Sequence, residues 1–136
     1  MPQNAGPRSR GLEICPSPEV IAWMLKPRPQ PDQCVKIKNR IKYVFNRIED
    51  AGRLAGTDYI DKIGLDLNPP LLEVKIEWKN LAFRIFGVIV GSRLCLSEVM
   101  LKKKQAYSSA QYRALHERAK SFAEDGCLEQ ASGNAP

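Results

Sequence analysis

Long apolar stretches are missing from this chain. The longest uninterrupted run is only a few residues, so no segment reads as a membrane span. Histidine is nearly absent, with His116 the single one, and the four cysteines (Cys15, Cys34, Cys95, Cys127) form no CxxC pair. A zinc site needs about four such ligands at short spacings, so neither metal nor cofactor is expected. The cysteines read instead as thiols in a reducing cytosol, with one oxidised pair left open. Also absent are a P-loop, a G-x-S-x-G elbow and a G-x-G-x-x-G turn. Nucleotide hydrolysis and serine-type acyl transfer therefore have no support. Met1 to Arg10 is polar and lacks an apolar signal core, so a cytoplasmic protein is expected.

What remains is an ordinary globular composition on 136 residues, 43% apolar and 26% charged, enough for one domain. Such a chain buries roughly two-thirds of the surface its unfolded form exposes, so it folds without staples. The charge is less ordinary. Lys and Arg number 21 against 15 Asp and Glu, a net of +6 with pI near 9.3. Residues 72–120 hold ten of those bases and four acids, an excess equal to that of the whole chain. This suggests a basic face on the second half, suited to a polyanionic or acidic partner.

Residues 1–11, with two prolines and two glycines, read as a mobile leader, 12–124 as the folded domain and 125–136 as a disordered tail. Leu12 to Ile14 is a short strand candidate. Ser17-Pro18-Glu19 opens a helix that carries Val20, Ile21, Met24 and Leu25 and stops at Pro27, Pro29 and Pro31. A longer helix runs from about Asp32 to Ala51. Ile37, Ile41, Val44, Phe45 and Ile48 form its apolar stripe, its lysines and arginines lie largely elsewhere, and Gly52 ends it. Between 53 and 70 the signal is poor.

The period then changes. Leu72, Val74, Ile76 and Trp78 alternate with Glu73, Lys75, Glu77 and Lys79, which predicts a strand with one buried face. Lys79-Asn80 and Gly91-Ser92 are turn material, so Ala82–Val90 and Arg93–Leu101 complete an antiparallel three-strand meander. Ser108 and Gln111 form a capping box before a last helix with Tyr112, Leu115, Ala119 and Phe122 on one face. The expected fold class is α+β: a short N-terminal strand, two helices, the meander and a C-terminal helix.

Arg84 is the most informative residue. It sits mid-strand among Phe83, Ile85 and Phe86. A charge there is costly unless paired. Either Glu73 or Glu77 on the adjacent strand holds it, or it faces a concave surface and meets an anion. If the register allows, Lys75 projects from the same side. Lys102, Lys103 and Lys104 end the third strand with Tyr107 close by, either a solubilising loop or a phosphate-contacting patch with an aromatic for a base. His116 reads as a partly exposed surface histidine.

Taken in order, these words resemble the RelE/ParE toxin superfamily, closest to its HigB-like, phage-derived branch, over roughly residues 12–122. They are the Ser17-Pro18-Glu19 helix start, the long helix ending at Gly52, Glu73-Val74-Lys75, Phe83-Arg84-Ile85, Lys102-Lys103, and a terminal helix from Gln111 to Phe122 that includes Arg118. The chain departs from the branch at Glu98-Val99-Met100, where His-Gly-Phe is usual, at Ser108 for a proline, and at Lys75 for an arginine.

The resemblance implies a RelE-like fold and a ribosome-dependent mRNA endonuclease silenced by a small antitoxin, a helix-turn-helix protein. The implied chemistry is metal-free attack of a ribose 2′-OH on the neighbouring phosphate. On this reading Arg84 stabilises the phosphate, Lys75 with Lys102 or Lys103 orients it or moves protons, and Tyr107 stacks or shares a proton. Lys and Tyr could serve as acid and base if nearby cations lowered their pKa values. Lys79, Arg93, Lys104 and Arg118 would bind RNA. Two alternatives are a catalytically silent binding module on the same fold, which Glu98 in the histidine's place favours, and a ParE-like inhibitor of DNA gyrase.

Overall fold

Helices that bury one stripe and strands that bury one face build this molecule. The computed structural model describes residues 11–28, 30–64, 66–102 and 107–127, without the side chains of Pro31 and Cys127. Its elements are β1 (Glu13–Pro16), α1 (Pro18–Leu25), α2 (Pro31–Ala51), β2 (Ile60–Ile63), β3 (Leu71–Trp78), β4 (Leu81–Val90), β5 (Arg93–Leu101) and α3 (Ser109–Ser121). A 3-10 turn follows α2 over Gly52–Ala55, and a wide helical turn follows α3 over Phe122–Cys127. No helix among the described residues is long and apolar enough to cross a membrane.

The helix ends follow from local chemistry. Ser17 Oγ accepts the Val20 N–H at 3.2 Å and donates to the Ser97 carbonyl at 2.7 Å, so one hydroxyl caps α1 and ties it to β5. Gly52 closes α2 with φ of 58°, a left-handed turn that glycine makes without strain. At α3 the capping box is complete: Gln111 N–H donates to Ser108 Oγ at 3.1 Å, and Ser108 N–H donates to Gln111 Oε1 at 2.7 Å.

The fold is α+β, with a mixed five-strand sheet in the order β1-β5-β4-β3-β2. The meander β3-β4-β5 is as expected, and β1 joins it parallel to β5. β2 is an addition to the expected strands. It pairs antiparallel with β3 from a segment whose four residues, Ile-Asp-Lys-Ile, are too few for alternation to stand out. A bulge interrupts β4 and β5 at Phe86/Gly87. There a Cβ on residue 87 would lie 2.2 Å from the Cys95 carbonyl oxygen, which is why glycine is needed.

Two cores result. On one face α1 and α2 press Val20, Ile37, Ile41, Val44 and Ile48 onto Leu72, Val74, Ile76, Ile85, Leu94 and Leu96. Each fully buried side chain of this size contributes about 1.5–3 kcal/mol. On the other face α3 brings Leu115 and Ala119, and the turn after it Ala123, onto Leu71, Phe86, Val88 and Cys95. This second core takes up only part of the sheet.

His116 corrects the sequence reading. It is buried at 6% exposure, with Nε2 2.7 Å from the Pro69 carbonyl. It tethers α3 to the segment before β3 rather than facing water. Cys34 is a free thiol, and Cys15 and Cys95 are register neighbours on β1 and β5.

Candidate active site on the open face of the sheet

The pleat of β3 turns Leu72, Val74, Ile76 and Trp78 toward α1 and α2, so Glu73, Lys75 and Glu77 point to the opposite face. Register settles what alternation leaves open. Lys75 stands opposite Arg84, and Arg84 opposite Met100. The neighbouring row is Glu73, Phe86 and Glu98, and the row toward the β3–β4 turn is Glu77 and Ala82. The Lys102 N–H bonds to the Ala82 carbonyl at 2.7 Å, which extends that last row. These three rows continue the second face from the α3 core, which they join at Phe86.

Arg84 is held as the pairing alternative expects, by both acids. One guanidinium nitrogen lies 2.8 Å from Glu77 Oε2, Nε lies 3.7 Å from Glu73 Oε1, and NH1 donates to the Phe83 carbonyl at 3.1 Å. The side chain is 4% exposed, against 12% for Glu73 and 54% for Glu77. The two carboxylates respond in opposite ways. Burial pushes the Glu73 carboxyl above its ordinary range despite the attraction of Arg84 and Lys75. The hydrogen bond from Arg84 holds Glu77 below that range. One arginine thus holds two carboxylates whose proton affinities are displaced in opposite directions.

Tyr107 closes the site from above. Its ring meets Phe86 edge to face at 5.8 Å and Tyr112 at 5.7 Å. Its hydroxyl is buried with no hydrogen-bond partner among the described residues. Burial, then the charge of Glu73, raises its pKa above 10.0. This corrects the sequence reading, which required cations to lower it: the phenol stays protonated across the neutral range. Tyr107→Phe is therefore expected to leave stability unchanged or raise it by about 1 kcal/mol, because an unpaired buried hydroxyl is removed. Urea unfolding midpoints check this.

The other expected residues separate. Lys75 donates to the Thr57 carbonyl at 2.8 Å and lies 3.8 Å from Asp61. Lys102 is exposed beside the site and adds to the positive field on Glu73 and Glu77. Arg118 reaches from α3 to Glu98 with two bonds, 2.7 and 3.2 Å, so that acid is occupied by an arginine. Arg93 is not part of the site. It pairs with Glu13 at 3.0 Å and faces Val90, about 20 Å along β4 from Arg84. Lys79 stacks on Trp78 at 4.8 Å in the β3–β4 turn. Lys103 and Lys104 lie outside the described residues.

Glu73 and Glu98 were not among the expected site residues. The alternation of β3 carried the signal for Glu73, since it shares a face with Lys75, but its burial depends on Phe86 and Tyr107, which register and the last helix supply. No cluster of His, Cys, Asp and Glu able to hold a metal ion occurs among the described residues. Comparison with family models, curated proteins and solved structures finds no match.

Proposed function

We propose that this chain is a toxin-like RNA endonuclease of the RelE/ParE superfamily, cutting ribosome-bound mRNA and silenced in the cytoplasm by a small helix-turn-helix antitoxin. The observation that carries the reading is the Glu73–Arg84–Tyr107 group on the sheet face opposite α1 and α2, which Glu77 and Lys102 connect to solvent. It supplies a base, a fixed cation and a proton donor, which are the three parts of 2′-OH attack. Glu73 takes the 2′-OH proton as the oxygen bonds to phosphorus. Arg84 stabilises the charge on the phosphate, and Lys75 and Lys102 orient it. The P–O5′ bond breaks, and Tyr107 protonates the leaving oxygen. The products are a 2′,3′-cyclic phosphate and a 5′-OH, with no water or metal consumed. Glu77, half exposed on Arg84, occupies the place of the phosphate and swings out when RNA enters. The strand order β1-β5-β4-β3-β2, with two helices on one face, is compatible with a RelE-like fold.

A second reading keeps the fold as a silent binding module. It is favoured by one observation: Arg84, Lys75 and Arg118 are each already paired with an acid. Induced expression with mapping of mRNA ends on ribosomes separates the two. Growth arrest with codon-phased cuts supports the endonuclease. Healthy cells with uncut mRNA support the binding module.

A further inference from the structure

Among the described residues, the sheet does not hold most of the unpaired positive charge. Between Gln33 and Ile48, α2 carries Lys36, Lys38, Arg40, Lys42 and Arg47 and no acid. Among the described residues none of these five lies within ion-pair distance of a carboxylate, whereas Lys75, Arg84, Arg93 and Arg118 all do. The excess counted over residues 72–120 stands, since its ion pairs with Glu73, Glu77 and Glu98 are already inside that count; α2 adds a second group of cations that have no ion pair among the described residues.

Lys36, Arg40, Tyr43 and Arg47 follow one another at steps of four, three and four, a single line along the helix about 16 Å long. The line is ordered by aromatics. The Arg40 guanidinium lies over the Tyr43 ring at 5.4 Å and over the Tyr59 ring at 5.7 Å, and Arg47 lies over Tyr59 at 5.7 Å. The two tyrosines meet edge to face at 6.0 Å. Arg40 Nε is buried with no hydrogen-bond partner among the described residues. A guanidinium stacked on a ring keeps its outer N–H fork in a fixed plane, preorganised for the two oxygens of a phosphate.

We propose that the Lys36–Arg40–Tyr43–Arg47 line, with Tyr59, is a second RNA contact that holds the phosphodiester backbone of a single strand. The ligand's identity rests on the RNA-directed reading above. A membrane surface fits poorly, because the apolar stripe of α2 is buried against the sheet and not available to lipid. An acidic peptide would use the charge but not the aromatics, of which Tyr43 is half-exposed and able to meet a base. The line also leads to the candidate site. Thr57 and Tyr59 belong to one turn. Arg40 and Arg47 lie over Tyr59, while the Lys75 ammonium bonds to Thr57 O. A strand lying along α2 and rounding this turn arrives beside Arg84.

The test uses a short single-stranded RNA of mixed sequence made of 2′-O-methyl nucleotides, which bind but lack the attacking hydroxyl. Fluorescence anisotropy is read from low to high salt for wild type, R40A/R47A, R40K/R47K and a control, K26A. Removing two phosphate contacts is expected to flatten the slope of log K against log salt by about 1.4 and weaken binding about tenfold at low salt. The lysine pair is expected to keep the slope and lose part of the affinity, because charge survives without the stacked fork. K26A is expected to match wild type. An unchanged slope in R40A/R47A, an equal loss in K26A, or equal competition by polyglutamate or by phosphatidylserine vesicles overturns the proposal. Thermal unfolding of each variant excludes loss of fold as the cause. Because nothing is cut in this assay, its outcome is separate from that of the endonuclease reading: expected slopes alongside uncut ribosomal mRNA would keep the α2 contact and remove the endonuclease.

Discussion

Arg84→Ala is expected to abolish mRNA cleavage and to lower stability by about 3 kcal/mol, a Tm drop on the order of 10 °C. The reason is asymmetry. Arg84 is 4% exposed, and its loss leaves Glu73, 12% exposed, as a buried carboxylate with its nearest cation gone. Glu77 turns to solvent at little cost because half of it is there already. The double variant Glu73→Gln/Arg84→Gln removes both charges, so it is expected to recover a large part of the lost stability and none of the cleavage. Calorimetry alongside a cleavage assay separates the two effects. A single variant that loses stability and keeps activity would exclude Arg84 from the chemistry.

Glu73→Gln is expected to produce the opposite pairing of effects: cleavage falls about 10²- to 10⁴-fold, and stability at neutral pH stays level or rises. The sign follows from linkage. Burial raises the folded pKa of Glu73 above its unfolded value, so the folded state binds the proton more tightly. Its contribution is therefore favourable at low pH and is lost as pH rises from the unfolded pKa through the folded one. Glutamine has no proton to lose, so the variant gains on wild type across that window and the difference closes in acid. Glu77 reverses the sign. Its pKa is lowered by the hydrogen bond from Arg84. Glu77→Gln is expected to be less stable than wild type at neutral pH, and the deficit should disappear as pH falls through the lowered pKa. Tm measured against pH for both variants checks the pair. Cleavage by wild type should rise with pH on an acid limb above the ordinary glutamate range, set by Glu73. No alkaline limb is expected near neutral pH, since burial raises the Tyr107 phenol above its ordinary range.

Much of the architecture was legible in the residues, and the reasons differ by element. The alternation from Leu72 to Trp78 and the turns at Lys79-Asn80 and Gly91-Ser92 specify β3, β4 and β5 almost to the residue, because period and turn chemistry agree. Ser17, Gly52 and Ser108 mark helix ends through backbone bonds that each residue makes locally. β2 was hidden because a four-residue edge strand is specified by its partner, β3, and not by its own pattern. His116 was misread because its burial depends on a carbonyl 47 residues away.

The site was legible to the same depth. Arg84 stood out as a charge in an apolar strand, and its two possible partners were the right ones. That Lys75 faces it, that Glu73 is the more buried acid and that Tyr107 covers the group all depend on register and on α3, which sequence does not fix. The charge count located the excess along the chain, but it could not show which cations are paired. Counting cannot tell a lysine beside an aspartate from an arginine on a tyrosine.

The central claim is that the Glu73–Arg84–Tyr107 group cleaves RNA through the RNA's own 2′-OH. The most direct measurement is the end chemistry of an mRNA incubated with purified protein and programmed ribosomes. The account predicts new ends carrying 2′,3′-cyclic phosphate and 5′-OH, absent with Arg84→Ala and absent when the ribose at the cut carries a 2′-O-methyl group. Uncut mRNA with the wild-type protein, or cuts that leave a 5′-phosphate or survive 2′-O-methylation, would contradict it.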